Sequence, residues 1–205
     1  MKKALILGCS HAAGSEMGTD KYERANSYPA LLAERMGYTA TNCSIPGGSN
    51  DTMFRIFESE QSEHKDYNIV IACWTGHNRS EAWNKNKQEW IPFCPGTDFT
   101  KLEELSDYVQ QWVVHYTNET TGRLNKLKNI VALNALAQAH DVPVINIDSF
   151  WPVHDYAWPS NMHWPVSTTF WDWADARGYA HTSRSHFGRD AHSAFADYIL
   201  ENIAN

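Results

Sequence analysis

The apolar positions of this chain follow two periods in turn. Largely apolar runs at Ala4 to Leu7, Asn68 to Cys73 and Val142 to Ile147 are rich in Ile, Val and Leu and end in polar or turn-forming residues. Runs of that length and β-branched content predict strands buried on both faces. Another strand is expected from Tyr38 to Cys43, second in chain order. Between these runs the apolar residues recur every three or four positions, the helical period. Ser27, Pro29 and Gly37 punctuate a helix over 28–36, with a cap, a first-turn proline and a terminal glycine. Ser49 or Asn50 can cap the helix carrying Met53, Ile56, Phe57 and Glu60. Thr100 with Glu103 reads as a capping box ahead of Leu102, Leu105, Val109, Trp112, Val113 and Tyr116. A longer helix is expected from about Thr121 to His140, with Leu124, Leu127, Val131 and Ala135 as its apolar stripe. The last begins near Gly188 and carries Ala191, Phe195, Ile199 and Ile203. Residues 82–99 read as irregular, and 149–185 as a long aromatic-rich connection. Strands alternating with helices imply an α/β fold whose parallel sheet is covered on both sides.

Candidate chemistry collects where the strands end. In open α/β sheets the carboxyl edge is the reactive edge. The first strand runs into Gly8-Cys9-Ser10-His11, with Gly14 soon after. The second leads to Ser44-Ile45-Pro46-Gly47-Gly48, a loop by composition. The third leads to Trp74-Thr75-Gly76-His77-Asn78-Arg79. A fourth polar segment, Ser183-Arg184-Ser185-His186, precedes the last helix. Acyl transfer needs a hydroxyl nucleophile, an imidazole base, an orienter for the imidazole and donors for the oxyanion. Ser10 can supply the hydroxyl and His186 the imidazole. The N–H groups of Ser10 and Gly47 (or Gly48) and the Asn78 amide can supply the donors. Arg79 and Glu81 read as a pair fixing the third loop.

Charge and composition narrow the partners. The 205 residues suit one domain over 1–205, with insertions at about 82–120 and 149–182. A net charge of −7 argues against nucleic acid and anionic membrane as the main partner. No apolar run reaches membrane-spanning length. Lys2-Lys3 and the short run after them fall short of a signal peptide, and the four cysteines lack metal-type spacing, so a reducing, cytoplasmic setting is expected. No cofactor and no metal site is expected. The glycines lack the spacing of a phosphate or dinucleotide loop. Of the ten histidines, His11, His77, His181 and His192 lie near the site in sequence and read as structural or substrate-contacting.

Four blocks together resemble the SGNH, or GDSL-type, serine hydrolases. These are Gly8-Cys9-Ser10 with Gly14, with Cys9 where Asp is usual; Asn42 to Gly47; Gly76-His77-Asn78; and His186 followed by His192 and Ala196. His186 to Ala191 and Tyr28 to Leu32 are similar to the small bacterial thioesterase and lysophospholipase members. The resemblance implies a flavodoxin-like three-layer α/β/α sandwich and hydrolysis of an acetyl or short acyl ester, on a carbohydrate, or of a lipid ester or thioester. It places the nucleophile on Ser10, the base on His186 and the oxyanion hole on Ser10, Gly47 and Asn78. It also exposes a departure, because the family's Asp three residues before the histidine is Ser183 here. A Ser10–His186 dyad oriented by Ser183 or a carbonyl, a triad completed by Asp148 or Asp172, and a catalytically weak carbohydrate- or ligand-binding module are the three expectations that follow. Trp74, His77, Trp151 and Trp171 are the candidate substrate contacts.

Overall fold

The structure, a computed structural model, describes residues 1–62, 66–98, 100, 102, 105–116, 118–153, 156, 158–182 and 186–203. Four strands form one parallel sheet in the order β2 (Thr39–Asn42), β1 (Lys3–Gly8), β3 (Ile69–Trp74), β6 (Val144–Asp148). β1 alternates its side chains between two cores. Ala4 and Ile6 pack toward α3 (Tyr28–Arg35) and α8 (Arg189–Ile203), while Leu5 and Leu7 pack toward α4 (Asn50–Ser62) and α6 (Glu119–Ala139). The result is the expected three-layer α/β/α arrangement. The register aligns Gly8 with Cys73 and Trp74 with Asp148, so the strands stop at one common edge.

Turn and cap chemistry agree with this layout. Ile45 O accepts from Gly48 N at 2.8 Å around Pro46 and Gly47, and Gly47 has φ +79°. That is the type II turn its sequence asks for, with proline second and glycine third. Ser49 and Thr52 then bond reciprocally, each side-chain oxygen accepting from the other's N–H at 3.1 Å, and this starts α4. Asn118 Oδ1 accepts from Thr121 N at 2.9 Å and starts α6.

Several expectations are corrected. Part of the stretch read as irregular is a hairpin, β4 (Ser80–Asn84) and β5 (Glu89–Phe93). Its turn is closed by the Asn84 carboxamide, which accepts from the N–H groups of Asn86 and Lys87. Pro92 is tolerated because a two-stranded ribbon has only edge strands. The helix expected after Thr100 is α5 (Ser106–Tyr116), and Glu103 lies outside the described residues. Ala82, Phe93, Leu102 and Val109 join hairpin and helix into a third small core. Two short helices, α1 (Ser10–Ala13) and α2 (Asp20–Asn26), follow β1, and α7 (Phe170–Ala176) sits within the long aromatic connection.

The stripe read on α6 is also displaced. Of the four residues named, Leu127 faces the core, while Leu124 and Val131 are about half exposed. The buried line is Lys126, Leu127, Ile130, Leu133 and Ala137. Periodicity counted Lys126 as polar and so rotated the helix. In fact its ammonium is fully buried and spends its three donors on Asp148 Oδ1 (2.6 Å), Trp151 O (2.8 Å) and Phe150 O (3.1 Å). Burial lowers its pKa and the Asp148 carboxylate opposes that shift. Lys126 thereby ties the segment after β6 to the helix layer. Lys126→Ala, which strands the Asp148 carboxylate in the core, is expected to lower unfolding free energy by about 3–5 kcal/mol. Urea unfolding followed by tryptophan fluorescence measures it.

On the opposite face, fully buried His192 accepts from Tyr28 N at 3.1 Å through Nδ1 and stacks on the Tyr28 ring. Burial first, and then the nearby charge of His186, lowers its pKa from 6.5 to about 3. Between those two values the unfolded chain binds a proton here that the folded chain refuses. Stability therefore falls as pH falls through this window, by up to about 1.4 kcal/mol per pH unit. The slope of stability against pH between pH 6 and 4 should lose about one proton's worth in His192→Gln, as measured by urea titrations at each pH.

Candidate active site

Ser10 stands directly after the bend at the end of β1. Gly8 permits that bend, since a Cβ there would lie 2.5 Å from Ala12 Cβ and 3.0 Å from Cys73 Cβ. The chain turns at Cys9 into the single-turn helix α1, which Gly14 ends at φ +72°. Ser10 is the first helical residue, so its N–H has no partner within the helix. The residue is 8% exposed.

The loop after α1 brings in a carboxylate that the sequence reading did not single out. Glu16 Oε2 lies 3.3 Å from His186 Nδ1, with both side chains largely buried. The Thr182 hydroxyl donates to the same carboxylate and accepts from His186 N at 3.2 Å. Thr182 N in turn donates to His186 O at 2.8 Å. Glu16 holds φ +73°, a left-handed conformation that non-glycine residues seldom adopt. Such outliers cost about 1–3 kcal/mol and gather at functional sites. The His186 ring is 4.8 Å from that of His11, the residue next to Ser10. His186 therefore packs against the residue that directly follows Ser10 in the chain. Glu16 was legible only as a carboxylate six residues past Ser10 in a glycine-flanked loop. Nothing in that spacing says which residue the loop will meet.

The second and third loops lie beside the first because β2 and β3 flank β1. Gly47 is exposed, and a Cβ there would meet nothing within 4 Å. Gly48 N is committed to Ile45 O, which leaves Gly47 as the open amide of the pair. Asn50 clamps the third loop to the second: its Oδ1 accepts from Thr75 N at 3.0 Å and its Nδ2 donates to Thr75 O at 3.4 Å. Asn78, half-buried, follows that clamp and borders a cavity of about 600 Å³.

Other expected participants are placed elsewhere. Asp148 is held by Lys126 and by Val153 N, not by His186. Asp172 lies in the first turn of α7, where it accepts from the hydroxyl of the capping Thr169 and donates its N–H to the same oxygen. Ser183 lies outside the described residues. Trp74 is fully buried and donates Nε1–H to Asn146 Oδ1 at 3.0 Å, so it is a core residue closed to substrate. Trp171 stacks on Phe150 and meets His11 edge-on. Trp151 is about half exposed at φ +47°. Its indole fits against Gly76, where a Cβ would lie 2.9 Å away, and lies 4.8 Å from the His77 ring. His77 and Trp151 both border the cavity beside Asn78. Glu81 binds Arg55 through two bonds (2.8 and 2.9 Å) and accepts from Thr52, so it is not paired with Arg79. The Arg79 guanidinium lies 5.9 Å from the Phe150 ring centroid.

His11, next to Ser10, is kept uncharged. Burial above all, and then electrostatic interaction with His186, His192, Arg79 and His181, lowers the His11 pKa well below 6.5. A neutral His11 leaves the Glu16 carboxylate as the charged partner of His186 among the described contacts. Among the described residues, no group of three or more His, Cys, Asp or Glu side chains could hold a metal ion. No described helix is long and apolar enough to cross a membrane.

The fold is the one that solved SGNH-type esterases and lipolytic proteins share. No family model matches it, and no curated protein does. The esterase EstA from Pseudoalteromonas sp. superposes with a TM-score of 0.55 at 14% identity, over 100% of this chain and 97% of that one. A protein of the G-D-S-L lipolytic family from Desulfitobacterium hafniense gives 0.58 at 14% identity, over 98% and 99%. The acetyl xylan esterase Est2A from Butyrivibrio proteoclasticus gives 0.53 at 10% identity, over 99% of this chain and 64% of that one. At these identities the likeness is one of fold.

Proposed function

We propose that the protein is a serine hydrolase of carboxylic esters, with Ser10 as nucleophile, His186 as base and Glu16 as the acid that completes the triad. The observation that carries this reading is the Glu16–His186 Nδ1 contact beside Ser10. A carboxylate on Nδ1 selects the tautomer whose Nε2 can accept a proton, and it stabilises the imidazolium that results. The carboxylate absent at position 183 is supplied from the loop after α1, six residues beyond the nucleophile. That answers the departure at Ser183, one of the two features behind the reading as a catalytically weak binding module; the aromatic-rich connection is the other.

Ser10 Oγ attacks the ester carbonyl while His186 Nε2 takes its proton. The carbonyl oxygen, now anionic, is held by the N–H groups of Ser10 and Gly47 and by the Asn78 amide. Collapse expels the alcohol, which receives its proton from His186, and leaves an acyl group on Ser10. Water, deprotonated by His186, then releases the acid. The Asn50–Thr75 clamp keeps the oxyanion donors in place before substrate arrives, so little reorganisation is needed during the step.

The protein should hydrolyse p-nitrophenyl acetate and take up a fluorophosphonate at Ser10. Ser10→Ala should lower kcat at least about 10³-fold with an unchanged near-UV circular dichroism spectrum. Equal rates in wild type and variant would refute the assignment. Glu16→Gln keeps the shape but not the charge, and should lower kcat by about 10²–10⁴-fold with little change in KM. Steady-state kinetics with the same ester would show it, and an unaffected kcat would remove Glu16 from the triad.

A further inference from the structure

Two cavities adjoin the third loop, and they share part of their lining. The one of about 600 Å³ is bordered by Asn78 and Trp151, and a second of about 720 Å³ is bordered by Trp90, Trp112, Asp51 and Glu58. His77 and Asn118 line both. Each volume lies within the range of about 300–1,000 Å³ that holds one small ligand. Together they make a cleft that leaves the oxyanion loop and ends against the β4–β5 hairpin.

The chemistry of the walls selects the occupant. Flat aromatic faces recur along the cleft at Trp151, His77, Trp90 and Trp112. Between them stand amides and carboxylates, with Asn118, Asn125, Asp51 and Glu58 foremost. Asp51 already accepts from Asn125 and Asn129, but an acyl chain would still take the exposed Glu58 carboxylate and the remaining polar valences out of water with nothing in return. An anion would meet three carboxylates, Asp51, Glu58 and Glu119, against Arg79 and Arg123, because Arg55 is neutralised by Glu81. A neutral polyhydroxylated ring suits both kinds of wall, its C–H faces on the indoles and its hydroxyls on the amides and carboxylates. The aromatic wall is preorganised: Arg55, clamped to Glu81, lies 5.2 Å from the centroid of the Trp90 ring.

We propose that this cleft binds a neutral oligosaccharide spanning both cavities, and that the ester cut at Ser10 is carried on such a chain. The second half of this proposal rests on the esterase reading above; the first half does not. Trp90 and Glu58 are then specificity-determining residues for the saccharide.

Calorimetric titration of the Ser10→Ala protein with xylohexaose, cellohexaose and chitohexaose, and with the matching disaccharides, tests it. At least one hexasaccharide should bind, about tenfold or more tighter than its disaccharide. Adding Trp90→Ala should weaken that binding about tenfold or more, which corresponds to about 1.4 kcal/mol. Glu58→Ala, on the exposed side of α4, should weaken it several-fold without touching the hairpin. Lys85→Ala, in the hairpin turn and bordering neither cavity, should leave it unchanged. Failure of all three hexasaccharides to bind at millimolar concentration overturns the proposal. So does binding that neither Trp90→Ala nor Glu58→Ala weakens, or a disaccharide held as tightly as its hexasaccharide. If wild type neither hydrolyses p-nitrophenyl acetate nor takes up a fluorophosphonate while hexasaccharide binding follows Trp90, the esterase reading falls and the cleft stands.

Discussion

Parallel pairing of β1 with strands on both sides is the constraint on which the site depends. Because β2 and β3 run in the same sense as β1, the loops after all three strands emerge at one edge. Ser10, Gly47 and Asn78 are far apart in the chain but adjacent in that row. An antiparallel neighbour would send one of these loops to the opposite edge. The register is enforced by burial, since each strand residue of β1 from Ala4 to Leu7 is enclosed by one or other core. A one-residue slip would exchange the two faces.

Around this edge the chain handles charge by enclosing it with partners. Lys126 is buried but saturated by a carboxylate and two carbonyls, and Arg55 and Glu81 satisfy one another beside the Thr52 hydroxyl. His11 and His192 are kept neutral by burial. Pairing and neutralisation are the two ways in which a protein interior accommodates ionisable groups. The result leaves His186 paired with Glu16 at a largely buried position, where an electrostatic contact is screened less by water than at the surface.

The insertions give the scaffold its particular surroundings. The segment after β6 is strapped to Lys126 and sets Trp151 over Gly76. The hairpin and α5 build a small core of their own and raise the far wall of the cleft. Both additions attach near the carboxyl edge and leave the sheet itself undisturbed. That agrees with the general finding that function varies in loops while the scaffold stays.

Much of this was legible in the residues alone. The strands of the sheet, the helices that cover it, the turn at Pro46-Gly47 and the cap at Ser49 follow from local pattern, because burial period and turn chemistry are written in neighbouring residues. Ser10, Gly47, Asn78 and His186 stood out as candidates because each sits in a short block at a strand or helix boundary. The hairpin was hidden by Pro92 and by a turn closed through an Asn side chain, and the face of α6 was hidden by a buried lysine. The partner of His186 could not be read at all. A carboxylate's role is set by what lies within about 3 Å of it, and sequence distance carries no such information for groups from opposite ends of the chain. The sequence by itself therefore determined the layers, the edge and the reactive residue types. Only the tertiary structure decided that Glu16 meets His186, that Asp148 belongs to Lys126, and that the aromatic residues of two separate segments line one cleft.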